Sequence, residues 1–195
     1  MERREVLRLL GSAAAISAFP LEAIAVIRQA SAQVAQSRGI QTLDPSQNAT
    51  VKTIAELIIP ATDTPGAEGA KVNEFIDLLL TEWFDPSETK EFLAGLADVD
   101  ARSRKRFSSH FIDCSTWQQT EMLKEFDAEA MEFAASQRKA AQINATPPPM
   151  NFFYQMKKLT LAGYYTTDIG FTQELGKDIV PLKHAGCAPL EQVAR

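Results

Sequence analysis

Cysteine and histidine are nearly absent from these 195 residues: there are two of each. Two thiols cannot ligate an iron–sulphur cluster of the usual four-thiolate kind. No C-x-x-C-H run offers a haem attachment point. G-x-G-x-x-G and P-loop motifs are missing, so no familiar dinucleotide or phosphate cradle is encoded. No G-x-S-x-G elbow appears, and a hydrolytic triad would have to draw on His110 or His184 without a supporting motif. A basic excess is also missing. Twenty Lys and Arg stand against 25 Asp and Glu, and a formal charge of -5 leaves no electrostatic footprint for nucleic acid. Strand-type alternation and repeats of solenoid period are absent. Beyond the first 32 residues no stretch is apolar enough to cross a membrane. The chain thus carries no familiar cofactor motif of its own, and two cysteines with two histidines limit metal chemistry sharply.

What is present is an ordinary globular composition, 45% hydrophobic and 23% charged, at a length that suits one domain plus a leader. Residues 1–32 form the leader. Arg3 and Arg4 make a twin-arginine pair, an apolar run follows to Phe19, and small residues recur at Ala23-Ile24-Ala25 and Ala30-Ser31-Ala32. This resembles a Tat signal with departures: Glu2 and Val6 are not the usual residues, and Arg8 interrupts the apolar run. Such an address sends the mature chain to a bacterial periplasm. The Tat translocase accepts folded proteins, typically because a cofactor is inserted first. A Tat-like leader on a chain without a cofactor motif suggests travel with a cofactor-containing partner.

Residues 33–195 read as a single all-α domain of about five helices, with an irregular, extended tail from about residue 176. Asp44-Pro45-Ser46-Gln47 places an N-cap, an N1 proline and a capping-box glutamine ahead of Val51, Ile54, Leu57 and Ile58. Pro60 ends that helix. Residues 60–69, PATDTPGAEG, are dense in turn formers, and Thr62, Asp63, Thr64 and Gly66 suit a rigid turn. A second helix runs from Val72 to about Phe84. Asp85-Pro86 starts a third, which buries Phe92, Leu93, Leu96 and Val99. Its C-terminal cluster of Arg102, Arg104, Lys105 and Arg106 suits a solvated face that complements the helix dipole. Ser115-Thr116-Trp117-Gln118 opens a fourth helix to about Gln137 with Met122, Leu123, Phe126, Ala130 and Phe133 on one side. Pro149 is the expected N1 residue of a fifth.

The fifth helix leads into KKLTLAGYYTTDIGFTQEL, residues 157–175. Leu159, Ala162 and Gly163 share one side. Tyr164 and Tyr165 then place two amphipathic rings beside Thr166, Thr167 and Asp168, which cap helices, and Gly170, which permits a turn. Two readings stand side by side: a helix end with packed aromatics, or an exposed tyrosine pair offered to a partner. Sulphur leaves three options open. Cys114 and Cys187 form disulfides within the chain or to a partner, remain free thiols, or join His110 and His184 around zinc. Of the disulfides, a bond from Cys187 to a partner cysteine is favoured over one to Cys114.

Two blocks resemble a known family. Ile58-Ile59-Pro60-Ala61-Thr62-Asp63-Thr64-Pro65-Gly66-Ala67 is one. Gly163-Tyr164-Tyr165-Thr166 with Gly170-Phe171-Thr172-Gln173-Glu174-Leu175 is the other. With Glu74-Phe75-Ile76-Asp77, Phe92-Leu93-Ala94-Gly95-Leu96 and Lys158-Leu159-Thr160 between them, they resemble the gluconate 2-dehydrogenase subunit 3 family across nearly all of the mature chain. The resemblance implies a small helical gamma subunit in the periplasm, with no redox centre and no catalytic residue. Its implied partner is a large flavoprotein of the glucose-methanol-choline oxidoreductase type, which holds FAD and oxidises a sugar or sugar acid. A multihaem cytochrome c is the implied electron acceptor in some complexes. The expected partner surface comprises Thr62, Asp63, Thr64, Gly66, Tyr164, Tyr165, Thr166, Gly170, Gln173 and Glu174. Two alternatives remain: a free-standing periplasmic chaperone or binding module, and an enzyme using Asp63, Asp77 or Asp168 with Tyr164 or Tyr165 as acid–base groups.

Overall fold

The computed structural model describes residues 39–146 and 148–177. Arg3, Arg4, Pro181, His184 and Cys187 lie outside them, as do the leader and most of the tail. Among the described residues five α-helices follow one another: α1 Pro45–Ile58, α2 Val72–Glu82, α3 Pro86–Phe107, α4 Thr116–Gln142 and α5 Phe152–Tyr165. A 3-10 turn, Phe111–Asp113, precedes α4, and a π-helical turn, Ile169–Glu174, follows α5. Among the described residues there is no strand, and no helix is long and apolar enough to cross a membrane. The all-α expectation holds, and the described residues contain the expected five helices.

Local chemistry explains three of the five starts. The Asp44 carboxylate accepts from the amide of Gln47 at 2.8 Å, and the Gln47 side chain accepts from the Asp44 amide at 2.9 Å. Glu88 reaches back to the Asp85 amide at 3.0 Å, and Gln118 to the Ser115 amide at 2.9 Å. Each box satisfies amides that a helix N-terminus leaves without intrahelical partners. The fifth start differs from the expectation. Pro149 precedes the helix, and Asn151 is its N-cap, accepting from the Tyr154 amide at 2.9 Å. The fourth helix runs on to Gln142, past the expected end near Gln137.

Helix α5 is the axis of the bundle and packs against α1, α2, α3, α4 and the π-turn. Its buried residues are Phe153, Met156, Thr160, Gly163 and Tyr164, so the inward face is rotated from the one that Leu159 and Ala162 suggested. A helix surrounded by four others is apolar on most sides, and its pattern marks no single face. Close approaches set the crossings. A Cβ on Gly95 would fall 2.2 Å from the Phe152 ring, and one on Gly163 would fall 2.7 Å from the Phe75 ring. Phe92 and Phe152 meet edge to face at 5.2 Å, as do Phe133 and Tyr154 at 5.1 Å.

Thr160, at the middle of α5, is fully buried, and its hydroxyl has no hydrogen-bond partner among the described residues. Such a group keeps its desolvation cost uncompensated. Thr160→Val, of nearly the same shape, is therefore expected to raise stability by about 1 kcal/mol. The urea midpoint should rise at unchanged slope. A fall would show that the hydroxyl finds a partner in solution.

Candidate functional site

The end of α5 and the loop after α1 close on each other. The Tyr164 ring is completely enclosed. Its hydroxyl lies 2.8 Å from the Pro65 carbonyl oxygen and 2.9 Å from Glu174 Oε2. The Thr64 hydroxyl donates to the same Glu174 oxygen at 3.0 Å, and the Tyr165 hydroxyl approaches Glu174 Oε1 at 3.4 Å. The two tyrosine rings stand edge to face, 5.1 Å apart. One carboxylate from the π-turn thus gathers hydroxyls from α5 and from a loop about 100 residues earlier.

The loop itself is rigid. Ala67 donates its amide to Ile59 O at 2.9 Å across the loop base, and Thr62 donates its amide to Thr64 O at 3.0 Å across the tip. The Thr62 hydroxyl donates to Asp63 at 2.7 Å. Glu56, which the sequence reading passed over, holds both limbs: its carboxylate accepts from the Ala61 amide at 2.7 Å and from the Glu68 amide at 2.9 Å. A Cβ on Gly66 would fall 2.3 Å from that carboxylate, so only glycine leaves room for it. The signal was an acidic residue in the last turn of α1, where the helix dipole disfavours it unless it serves another purpose.

On the other limb, the Thr166 hydroxyl donates to Ala162 O at 2.7 Å and the Thr167 hydroxyl to Tyr164 O at 2.6 Å. Gly170 does not form the expected turn. It lies inside the π-helical turn, where an added Cβ would sit 2.3 Å from the Tyr164 carbonyl oxygen. Glycine is required there by close approach. Gln173 is exposed and donates to Asp168 at 3.4 Å.

The expected site residues divide accordingly. The structure brings Thr64, Tyr164, Tyr165 and Glu174 together, with Gly66 and Gly170 as the spacings that allow it. Thr62, Asp63 and Gln173 lie exposed around this clasp, and Thr166 is half-buried. Of the two readings of the tyrosine pair, the packed one holds and the exposed one is corrected: Tyr164 belongs to the core, its hydroxyl bonded to the loop at Pro65, and Tyr165 is half-buried against the same core. Asp77 also moves out of the acid–base set. It is buried, and its carboxylate accepts three backbone amides, from Gln41, Thr42 and Leu43, at 2.7 to 2.9 Å.

A second constellation sits where α3 turns into α4. Cys114 is a buried free thiol, 3.2 Å from the Ser103 hydroxyl, which donates in turn to Ser109 O. Cys187, for which a bond to a partner cysteine is expected, lies outside the described residues, as does His184. Among the described residues no group of three His, Cys, Asp or Glu is placed to hold a metal ion. The arginine cluster is a paired surface: Arg102 binds Asp98 and Glu129 at 2.8 and 2.6 Å, Arg104 binds Asp100 at 2.5 Å, and Arg106 binds Glu125. Arg102 also stacks 4.4 Å over the Phe126 ring. Elsewhere, burial pulls the Lys158 ammonium below its ordinary pKa.

Asp100 ties this corner. Its carboxylate accepts from the Phe111 amide and His110 Nδ1, both at 3.0 Å, and from Arg104. Burial pushes its pKa up, but the Phe111 amide, Arg104 and His110 together outweigh this and hold it below the usual carboxylate value.

Two predictions follow from these contacts. Tyr164→Phe keeps the ring and removes the hydroxyl, and should lower stability by about 1 to 2 kcal/mol, with a smaller loss for Tyr165→Phe. Equal losses in urea unfolding would contradict the central place of Tyr164. Asp100→Asn should cost about 1 kcal/mol at pH 7. A carboxylate with a lowered folded pKa contributes above its unfolded pKa of about 4, and the contribution is lost as pH falls through the lower folded value. The gap between the variant and the natural chain should therefore close below about pH 4 in pH-dependent unfolding.

Comparison with known proteins bears on this arrangement. No curated protein and no solved structure matches the chain. The family model described as gluconate 2-dehydrogenase subunit 3 matches residues 45–181, which takes in all five helices, the loop of the clasp and the π-turn. The chain belongs to the gluconate 2-dehydrogenase subunit 3 family, whose name makes it one subunit of a multi-subunit dehydrogenase.

Proposed function

We propose that this chain is the non-catalytic small subunit of a periplasmic, FAD-dependent dehydrogenase that oxidises a sugar or sugar acid. Its work is to bind and stabilise a large flavoprotein of the glucose-methanol-choline type and to supply the Tat-type leader on which both chains are exported. The family match over residues 45–181 is the observation that carries this reading. The clasp is consistent with it. The polar atoms of Tyr164, Thr64 and Glu174 are spent on holding a loop and a turn together, which is how a docking surface is made rigid. In this reading the flavoprotein meets the rim of the clasp at Thr62, Asp63, Tyr165, Thr166, Gln173 and Glu174, while Tyr164, Gly66 and Gly170 shape that rim from inside. FAD belongs to the partner, haem to a cytochrome c where one is present, and Cys187 bonds to a partner cysteine.

Three outcomes test the proposal. Co-produced with the flavoprotein, the chain should yield a complex with dye-linked dehydrogenase activity. Gln173→Arg on the exposed rim should reduce the recovered flavoprotein about tenfold or more, with helical content unchanged. Arg3→Lys with Arg4→Lys should leave both subunits and their activity in the cytoplasmic fraction. Export of the flavoprotein at normal levels with both arginines replaced would overturn the carrier role. Activity of the small chain alone would overturn the non-catalytic assignment.

A further inference from the structure

Asp77 is a buried carboxylate with a task unrelated to the clasp. It sits in α2 between Ile76 and Leu78, both buried. Oδ1 accepts from the amides of Thr42 and Leu43 at 2.9 and 2.8 Å, and Oδ2 from the amide of Gln41 at 2.7 Å. Three consecutive backbone amides on one carboxylate are charge-assisted bonds of the stronger kind. Beside them, the Thr42 and Thr81 hydroxyls pair at 2.6 Å. The segment they hold, residues 39–43, lies ahead of the first helix.

We propose that Asp77 and residues 39–43 form a latch, a strap that opens from α2 as a unit while the helical bundle stays folded. Among the described residues its polar attachments are the three amides on Asp77 and the Thr42–Thr81 hydroxyl pair. Beyond Asp77 and Thr81, it contributes only Leu43 as a buried apolar side chain, with Ile40 partly buried against the core. Both ends allow it to swing. Gly39 has φ +74°, a conformation that glycine adopts without strain, and no atom of the described residues lies within 4 Å of where a Cβ would be. At the other end, the Asp44 capping box is closed by Gln47 and draws nothing from the strap, so α1 keeps its start when the strap leaves. Opening returns the carboxylate and three amides to water together, and so costs much less than unfolding the five helices. Closed, the latch holds residues 41–43 on α2; open, it leaves the N-cap of α1 as the first fixed point of the domain.

Native-state hydrogen exchange on the full chain tests this. The amides of Gln41, Thr42 and Leu43 should exchange together, about 100-fold faster or more than those of Ile54 and Met156, and with almost no dependence on low urea concentrations. Asp77→Asn replaces an acceptor oxygen by a donor and should speed those three amides about tenfold or more, leaving α4 and α5 unchanged. Thr81→Val is a milder variant that should speed the same three amides by a smaller factor. If the three amides exchange only with the urea dependence of the helices, or if the variants speed helix amides equally, the strap is part of the cooperative core and the latch is wrong.

Discussion

A phenol shut away from water must find a partner for its hydroxyl. Tyr164 is that phenol, and most of the architecture at its end of the bundle follows from it. Its ring ends the inward face of α5, the helix that every other helix touches. Its hydroxyl requires the Pro65 carbonyl and Glu174 to come to it. The loop can present that carbonyl only because Glu56 grips both limbs and Gly66 leaves space for the grip. The π-turn can present Glu174 only because Gly170 lies against the Tyr164 backbone. Two glycines and two carboxylates are thus tied to one buried oxygen.

This constraint shapes what the molecule can do. Three carboxylates of the domain are engaged in holding backbone. Asp77 takes three amides, Glu56 takes two, and Asp100 takes an amide, a guanidinium and an imidazole. A small helical body whose loops are fixed in this way offers a preformed surface, and preformed surfaces lose little entropy on docking.

Much of the bundle was legible in the sequence because its signals are local. A capping box spans four residues, so Asp44, Asp85 and Ser115 announce their helices without reference to the rest of the fold. The fifth start was misplaced because an N1 proline and an Asn cap compete within three residues, and Asn151 wins by reaching the Tyr154 amide. The clasp residues were legible as two unusual blocks, but their relation was not. Thr64 and Glu174 are 110 positions apart, and nothing in either block says that they share a hydrogen bond. For the same reason the sequence left both readings of Tyr164 open, packed and exposed: the loop that covers it is about 100 residues away. Glycines mislead similarly. Gly170 reads as a turn, although its role is to admit a carbonyl oxygen.

The central claim, that this chain acts as one subunit of a larger dehydrogenase, is tested most directly by native mass spectrometry of the tagged chain recovered from its source cells without denaturant. The account predicts an assembly in which the chain is bound to a much larger polypeptide, with a loss of the mass of FAD from that larger component on activation. The chain recovered only as a free monomer, from cells that show dehydrogenase activity, would contradict it.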